Sequence, residues 1–171
     1  MNLPNRITLA RLLGCVAFAG LFILGHTTAA LITYVLLEVL DQADGKLATW
    51  MHLETVTGGY FDPFVDSLTH LTAFACLLQV GTVPLWAFLI FLFREFGLLF
   101  LRLLASLQGT RLRGQWPGKV KAAVHAVVVV VCLLRAPGPA TWWVDAAVAA
   151  SVVSGGFYLF AYRRILAHAF A

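Results

Sequence analysis

The chain has 171 residues, of which 61% are hydrophobic and 12% are charged, with a formal net charge of +4 and a mean hydropathy of +0.87. This composition leaves too little polar surface for a water-soluble globule and predicts an integral membrane protein. A helical crossing takes about 20 residues, so the length allows roughly six spans in one membrane domain over residues 1–171. The three cysteines show neither disulfide nor zinc-site spacing.

Hydropathy divides the chain into six predicted helices. Their predicted ranges are residues 8–25, 28 to about 49, 57–80, 83–107, 118–134 and about 140–162. Glycine or proline stands at the breaks around positions 25, 84, 109, 117 and 137, as expected where helices end. The sequence therefore predicts an all-α, polytopic bundle of six transmembrane helices.

Basic residues are concentrated on one side of this predicted bundle. The termini and the second and fourth connections carry Arg6, Arg11, Lys46, Arg111, Arg113, Lys119, Lys121, Arg163 and Arg164. The opposite side carries only Arg135. The positive-inside rule then predicts a cytoplasmic-membrane protein with both termini inside. A cleaved signal peptide over residues 1–30 is the alternative interpretation of the first segment.

Half of the eight acidic residues form one spaced pattern, namely Asp41, Asp44, Asp62 and Asp66. Asp41 and Asp44 are three apart at a predicted helix end, and Asp62 and Asp66 are four apart at the next helix start, so each pair shares a helical face. Carboxylates at a membrane boundary need a positive partner, and oxygen ligands suit divalent cations such as Mg²⁺. The pattern indicates a metal-dependent site on the cytoplasmic face. The alternatives are solvated helix-end aspartates or a cation pathway.

The aspartates lie in a longer motif. Asp41-Gln-Ala-Asp44-Gly45-Lys-Leu-Ala48-Thr49, eight residues, and then Gly58-x3-Asp62-x3-Asp66 resemble the signature D-x2-D-G-x2-A-R-x8-G-x3-D-x3-D of the CDP-alcohol phosphatidyltransferase family. Asn5, Thr8 and Arg11 resemble the N-x2-T-x2-R opening of these enzymes. Arg94-Glu95 with Arg102, and residues 116–121, are most similar to phosphatidylglycerophosphate synthases.

The resemblance implies a transferase of phospholipid biosynthesis that moves a phosphatidyl group from CDP-diacylglycerol to an alcohol and releases CMP. It implies two divalent cations, Mg²⁺ or Mn²⁺, on Asp41, Asp44, Asp62 and Asp66, with Asp66 also the catalytic general base. The nucleotide contacts that it implies are Asn5, Thr8, Gly45, Ala48 and Gly58. A homodimer in the lipid bilayer is implied as well, and no nucleic-acid partner is expected.

A group of cations predicts an acceptor that itself carries phosphate. These candidate acceptor-binding residues are Arg94, Arg102, Arg111, Arg113, Lys119 and Lys121. Glycerol 3-phosphate is the preferred acceptor, and inositol phosphate or another alcohol is the alternative. The loop residues Arg111 and Arg113 also fit membrane anchors, and Arg94 also fits a structural pair with Glu95 or Glu38.

Two positions depart from the family pattern. Thr49 stands in place of the motif arginine, and Ser67 stands where many relatives carry lysine. Lys46 is a candidate substitute for the missing cation. A non-catalytic, lipid-binding relative is therefore a second hypothesis. His70, one turn after Asp66, is either a hydrogen-bonded core residue or part of the site.

Overall fold

A computed structural model describes residues 3–50, 58–110, 115–134 and 140–169; within them, the side chains of residues 3–5, 44–50, 140–141, 164 and 168–169 are not described. These ranges contain seven helices and no strand, which confirms the all-α prediction for this part of the chain. The helices are α1 (Leu3–Ile23), α2 (Thr27–Trp50), α3 (Gly58–Gln79), α4 (Leu85–Leu107), α5 (Trp116–Leu133), α6 (Ala140–Ala161) and α7 (Arg163–Ala169).

Six of the helices match the predicted ones within a few residues, and the differences lie at the ends of the chain. α1 begins at Leu3 rather than at residue 8, because Pro4 is compatible with the first turn of a helix. α7 was not predicted, because seven residues with two arginines form no apolar run.

Three helices are long and apolar enough to cross a membrane, over Arg6–Ile23, Trp116–Leu133 and Trp142–Ala161. They belong to α1, α5 and α6. The three other long helices carry the aspartate pattern or the charged residues Arg94, Glu95 and Arg102. The described residues are thus all-helical, with three helices apolar enough to cross a membrane, and the count of six spans stays a prediction.

Glycine ends three of these helices in the same geometry. Gly25, Gly81 and Gly109 have φ values of 81°, 74° and 70°, in the left-handed region that side chains disfavour. The amide after each glycine donates to a carbonyl five residues back, at 2.9, 3.0 and 2.8 Å respectively. This arrangement is the Schellman motif, and it confirms the predicted breaks.

The chain forms two compact units. The N-terminal unit comprises Met1–Thr82 and Val129–Pro137, and the C-terminal unit comprises Val83–Val128 and Gly138–Ala171. A single domain over residues 1–171 stays a prediction.

In the N-terminal unit, α1, α2 and α3 pack through seams of buried residues spaced three or four apart. The buried residues of these seams include Cys15, Phe18 and Phe22 in α1, Tyr34 and Leu37 in α2, and Val65, Phe74 and Leu77 in α3. Gly14 allows α1 to approach α2 closely, since a Cβ there would lie 2.7 Å from the Leu37 Cδ2 atom. At one end each seam continues into a charged residue, which places charges where the three helices meet.

In the C-terminal unit, the buried faces of the helices are unusually polar. α4 buries Glu95 beside Phe91, and α5 buries Lys121 and His125. α6 buries Ser151 and Ser154 between Ala147 and Tyr158. Polar groups buried among apolar helices need partners inside the protein.

Candidate active site

Three of the four motif aspartates lie at the end of the buried seams of the N-terminal unit. Asp41 lies on α2, and Asp62 and Asp66 lie in the first turns of α3. Their side chains are 30%, 39% and 29% exposed, so each carboxylate is held by the protein and still reachable from outside. The side chain of Asp44 lies outside the described residues.

Arg11 forms ion pairs with two of these aspartates from the buried side. Its side chain is 1% exposed, and its Nη2 atom lies 2.5 Å from Asp41 Oδ1. Its Nη1 atom donates to Asp62 Oδ1 at 2.7 Å. A guanidinium offers donors in a rigid fork, so one side chain on α1 can hold carboxylates of both α2 and α3. Arg11 therefore supplies a fixed positive charge at this site.

His70 is buried next to the third aspartate, Asp66. It is 1% exposed, and its Nε2 atom lies 3.3 Å from Asp66 Oδ1. Its Nδ1 atom lies 3.1 Å from the Tyr34 hydroxyl oxygen and 3.6 Å from Glu38 Oε1. The ring thus connects Asp66 to two residues of α2, in agreement with both interpretations of His70, as a buried residue and as part of the site.

The candidate nucleotide contacts are described only in part. Thr8 is buried on α1, one turn before Arg11, and Gly58 opens α3 and is half-buried. The side chains of Asn5 and Ala48, and the surroundings of Gly45, lie outside the described residues. The structure thus places two members of the set, Thr8 on the same face of α1 as Arg11 and Gly58 at the start of α3.

The carboxylates fit the divalent cations that the motif implies. All the ligand atoms on offer are oxygens, which Mg²⁺ and Mn²⁺ accept. Arg11 shows that Asp41 and Asp62 already share a cationic partner. Among the described side chains, no three histidine, cysteine or acidic residues converge as a ready-made metal cluster.

The candidate acceptor-binding residues differ in burial and in ion pairing. Lys121 Nζ lies 2.6 Å from Glu95 Oε1, and Arg94 Nη1 donates to the same oxygen at 2.8 Å. The side chains of Arg94, Glu95 and Lys121 are 8%, 3% and 2% exposed. The sequence alternative in which Arg94 pairs with Glu95 is therefore confirmed.

The other basic residues of that set are more open. Arg102 is half-buried on α4, and Lys119 is exposed on the first turn of α5. Arg111 and Arg113 lie outside the described residues. Lys119 and Arg102 are thus the described cations of the set that a small anion can reach without first entering the helix core.

Comparison with known proteins identifies the chain. The family model described as CDP-alcohol phosphatidyltransferase matches residues 1–155. The chain belongs to the CDP-alcohol phosphatidyltransferase family. The match includes the aspartate pattern and confirms the resemblance drawn from the motif.

Several relatives within the family carry more specific names. The chain is 34% identical over 106 residues to a CDP-diacylglycerol–glycerol-3-phosphate 3-phosphatidyltransferase of Treponema pallidum, covering 62% of this chain and 49% of the relative. It is 31% identical to a probable phosphatidylglycerophosphate synthase of Mycobacterium tuberculosis, over 92% of this chain and 80% of the relative. A Pseudomonas fluorescens protein with the first of these names is 31% identical, over 97% and 89%. The alignment thus spans about half of the Treponema relative.

Two buried charged residues, Arg11 in the N-terminal unit and Glu95 in the C-terminal unit, were not predicted as site residues from the sequence. Arg11 was recognised as the end of the N-x2-T-x2-R opening, but its reach to Asp41 and Asp62 was not. Glu95 was recognised only as a partner for Arg94. The signal available for both was a charge inside an apolar helix, which by itself marks a functional candidate.

Proposed function

We propose that this chain transfers a phosphatidyl group from CDP-diacylglycerol to glycerol 3-phosphate and releases CMP. The observation that carries the proposal is the set of partly exposed carboxylates, Asp41, Asp62 and Asp66, backed by the buried Arg11 and His70. Family membership supports the reaction class, and the names of the relatives support the acceptor.

The four aspartates share one task in this proposal. Asp41, Asp44, Asp62 and Asp66 would hold two divalent cations, Mg²⁺ or Mn²⁺. When bound, these cations would offset the negative charge of the substrate diphosphate. Arg11 keeps Asp41 and Asp62 aligned across α2 and α3 and adds a permanent positive charge. Thr49, which stands in place of the motif arginine, adds no charge.

Asp66 acts as the general base. Its carboxylate takes the proton of the acceptor hydroxyl, whose oxygen forms a bond to the phosphorus that carries the diacylglycerol. The bond between that phosphorus and the oxygen of CMP breaks, and CMP leaves as a phosphate monoester. His70, 3.3 Å away, restricts the orientation of Asp66.

Two sets of contacts complete the proposal. The nucleotide lies against Asn5, Thr8, Gly45, Ala48 and Gly58, where small residues let a ligand approach the backbone. The acceptor phosphate is bound by the basic set, with direct contacts from Arg102, Lys119, Arg111 and Arg113. Arg94 and Lys121 support them through Glu95.

The proposal also covers the membrane orientation and the oligomeric state of the enzyme. Both termini and the aspartates face the cytoplasm, because the basic residues favour that side, and the protein is a homodimer in the bilayer. Membrane-impermeant labelling of single cysteines introduced at Arg6 and at Leu134 tests the sidedness. Labelling of the Leu134→Cys variant from the cytoplasmic side would contradict it.

A transfer assay tests the reaction. Purified protein receives Mg²⁺ or Mn²⁺, radiolabelled CDP-diacylglycerol, and either glycerol 3-phosphate or inositol phosphate. We expect CMP release with glycerol 3-phosphate, and we expect Asp66→Asn to lower kcat by about 10³-fold, as for the loss of a general base. Asp145→Asn, the same change at an exposed aspartate of α6, is the matched control.

The same assay separates the alternatives. Turnover with inositol phosphate alone would replace the acceptor and leave the chemistry intact. No turnover with any acceptor, together with retained binding of CDP-diacylglycerol, would show a non-catalytic lipid-binding relative.

A further inference from the structure

A hydroxyl and a carboxylate of α2 lie on the buried side of the candidate active site. Tyr34 and Glu38 are four positions apart and therefore share one face of α2, and Glu38 comes one turn before Asp41. The Tyr34 side chain is fully buried, and its hydroxyl forms a hydrogen bond with Glu38, whose side chain is 18% exposed. The two side chains thus form one polar group inside the N-terminal unit.

His70 of α3 connects this polar group to Asp66. Its Nδ1 atom lies 3.1 Å from the Tyr34 hydroxyl oxygen and 3.6 Å from Glu38 Oε1. Its other ring nitrogen, Nε2, lies 3.3 Å from Asp66 Oδ1. Exposure rises along this line, from a fully buried Tyr34 and a buried His70 to the partly exposed Asp66. The contacts therefore run from the helix core to the carboxylate of the proposed general base.

The connection requires one particular orientation of the His70 ring. Rotation of a histidine ring about its last side-chain bond is roughly two-fold, so two orientations of similar shape are open to it. In one orientation Nδ1 faces Tyr34 and Nε2 faces Asp66, and in the other orientation ring carbons occupy both places. The second orientation loses a buried hydrogen bond between the ring and the Tyr34 hydroxyl, which is costly. The hydroxyl therefore selects the orientation in which a nitrogen faces Asp66.

Apolar packing holds the Tyr34 hydroxyl in place. The Tyr34 ring lies against the Phe18 ring of α1, with centroids 5.6 Å apart and ring planes inclined by 53°. Both residues are fully buried. Because phenylalanine at position 34 would keep this ring contact and lose only the polar atom, the change Tyr34→Phe isolates the contribution of the hydroxyl.

We propose that Tyr34 is a positioning residue for the transfer reaction. Its hydroxyl holds the His70 ring with Nε2 towards Asp66, and the ring restricts rotation of the Asp66 carboxylate. The carboxylate of an aspartate rotates broadly about its last side-chain bond, so a general base benefits from a neighbour that fixes its direction. This inference rests on the proposed function, in which Asp66 is the base.

Steady-state kinetics of the transfer assay test the positioning role. We expect Tyr34→Phe to lower kcat by about fivefold, the effect of one neutral hydrogen bond, with the KM for CDP-diacylglycerol and for glycerol 3-phosphate unchanged. The double variant Tyr34→Phe, His70→Phe should have the kcat of His70→Phe alone, because the hydroxyl acts through the ring.

Tyr158→Phe is the matched control. Tyr158 is also buried, and its hydroxyl accepts a hydrogen bond from the Gln115 amide at 2.8 Å, but it lies on α6 in the C-terminal unit. This variant loses a buried, hydrogen-bonded hydroxyl of the same kind and should leave kcat unchanged.

Nitrogen NMR of the histidine rings tests the contact without turnover. Protein that is isotope-labelled in its histidines is compared as wild type, Tyr34→Phe and Tyr158→Phe, and the His70 signals are assigned by their absence from His70→Phe. We expect the His70 Nδ1 resonance to shift in Tyr34→Phe and to keep its wild-type position in Tyr158→Phe.

Different results would overturn the contact, the positioning role and the reaction. An unshifted His70 resonance in Tyr34→Phe would show that the hydroxyl does not hold the ring, whether or not the protein turns over. A wild-type kcat in Tyr34→Phe, or a loss that adds to that of His70→Phe, would show that the hydroxyl does not act on Asp66 through His70. Absence of turnover by the wild type, with the resonance shift present, would overturn the proposed function and leave Tyr34 as a structural partner of His70.

Discussion

The two units use the same kinds of buried ion pairs with opposite polarity. In the N-terminal unit a buried cation, Arg11, holds the partly exposed carboxylates of Asp41 and Asp62. In the C-terminal unit a buried carboxylate, Glu95, holds the buried cations of Arg94 and Lys121. The first arrangement leaves negative oxygens accessible for cations. The second places positive charge inside the helix core, while Lys119 of the same unit is exposed.

The largest loss of stability is expected at Glu95, because this one buried carboxylate pairs with two buried cations. Glu95→Gln keeps the shape of the side chain but leaves two buried cations without their carboxylate. We expect the free energy of unfolding in detergent micelles to fall by about 3–5 kcal/mol, the usual cost of breaking a buried pair. Asp145→Asn at an exposed position should change it by less than about 0.5 kcal/mol. A loss below about 1 kcal/mol from Glu95→Gln would show that Glu95 does not hold both cations.

Arg11 tests the other half of the comparison. Arg11→Gln leaves Asp41 and Asp62 without the guanidinium, but their partial exposure lets water solvate them, so we expect a smaller loss of about 2 kcal/mol. Added Mg²⁺ should recover part of this loss, because a divalent cation can replace the missing positive charge. It should recover none in Glu95→Gln.

Arg6→Gln, an exposed arginine on the same helix, is the matched control for Arg11. It should leave both the unfolding free energy and its response to Mg²⁺ unchanged. If Arg11→Gln unfolds as wild type does at every Mg²⁺ concentration, Arg11 does not align the carboxylates.

Much of this comparison could be predicted from the sequence. Apolar runs and glycine breaks placed six helices within a few residues, because hydropathy and helix termination are local properties. The spacing of Asp62 and Asp66 placed both carboxylates on one face of α3. These are features that neighbouring residues determine.

The pairing between helices could not be predicted in the same way. Arg11 and Asp62 are 51 positions apart, and Arg94 and Ser154 are 60 apart. Periodicity shows that a charge faces a seam, but the partner depends on how the helices are rotated and how far they slide. The short helix α7 was missed for another reason, since it has neither an apolar stripe of useful length nor a cap signal.

His70 and His125 allow a matched comparison of the two units. Both are 1% exposed, but His70 lies beside Asp66 whereas His125 lies beside Ser151. We expect His70→Phe to lower kcat by about 10-fold without changing the KM for the acceptor, as for loss of a group that orients a catalytic carboxylate. His125→Phe should leave kcat unchanged. Equal effects of the two variants on kcat would show that buried histidines matter here only for folding.

The smallest effect is expected at the surface of the C-terminal unit. Lys119 is exposed, so Lys119→Ala should raise the KM for glycerol 3-phosphate by about threefold at low salt, with kcat unchanged. The effect should disappear as salt screens the exposed charge. Arg163→Ala is the control, because Arg163 is an exposed cation of the same unit that stacks on the Phe160 ring at 4.4 Å. If both variants raise KM alike, the acceptor responds to overall charge, and the accessible cations of this unit form no specific phosphate contact.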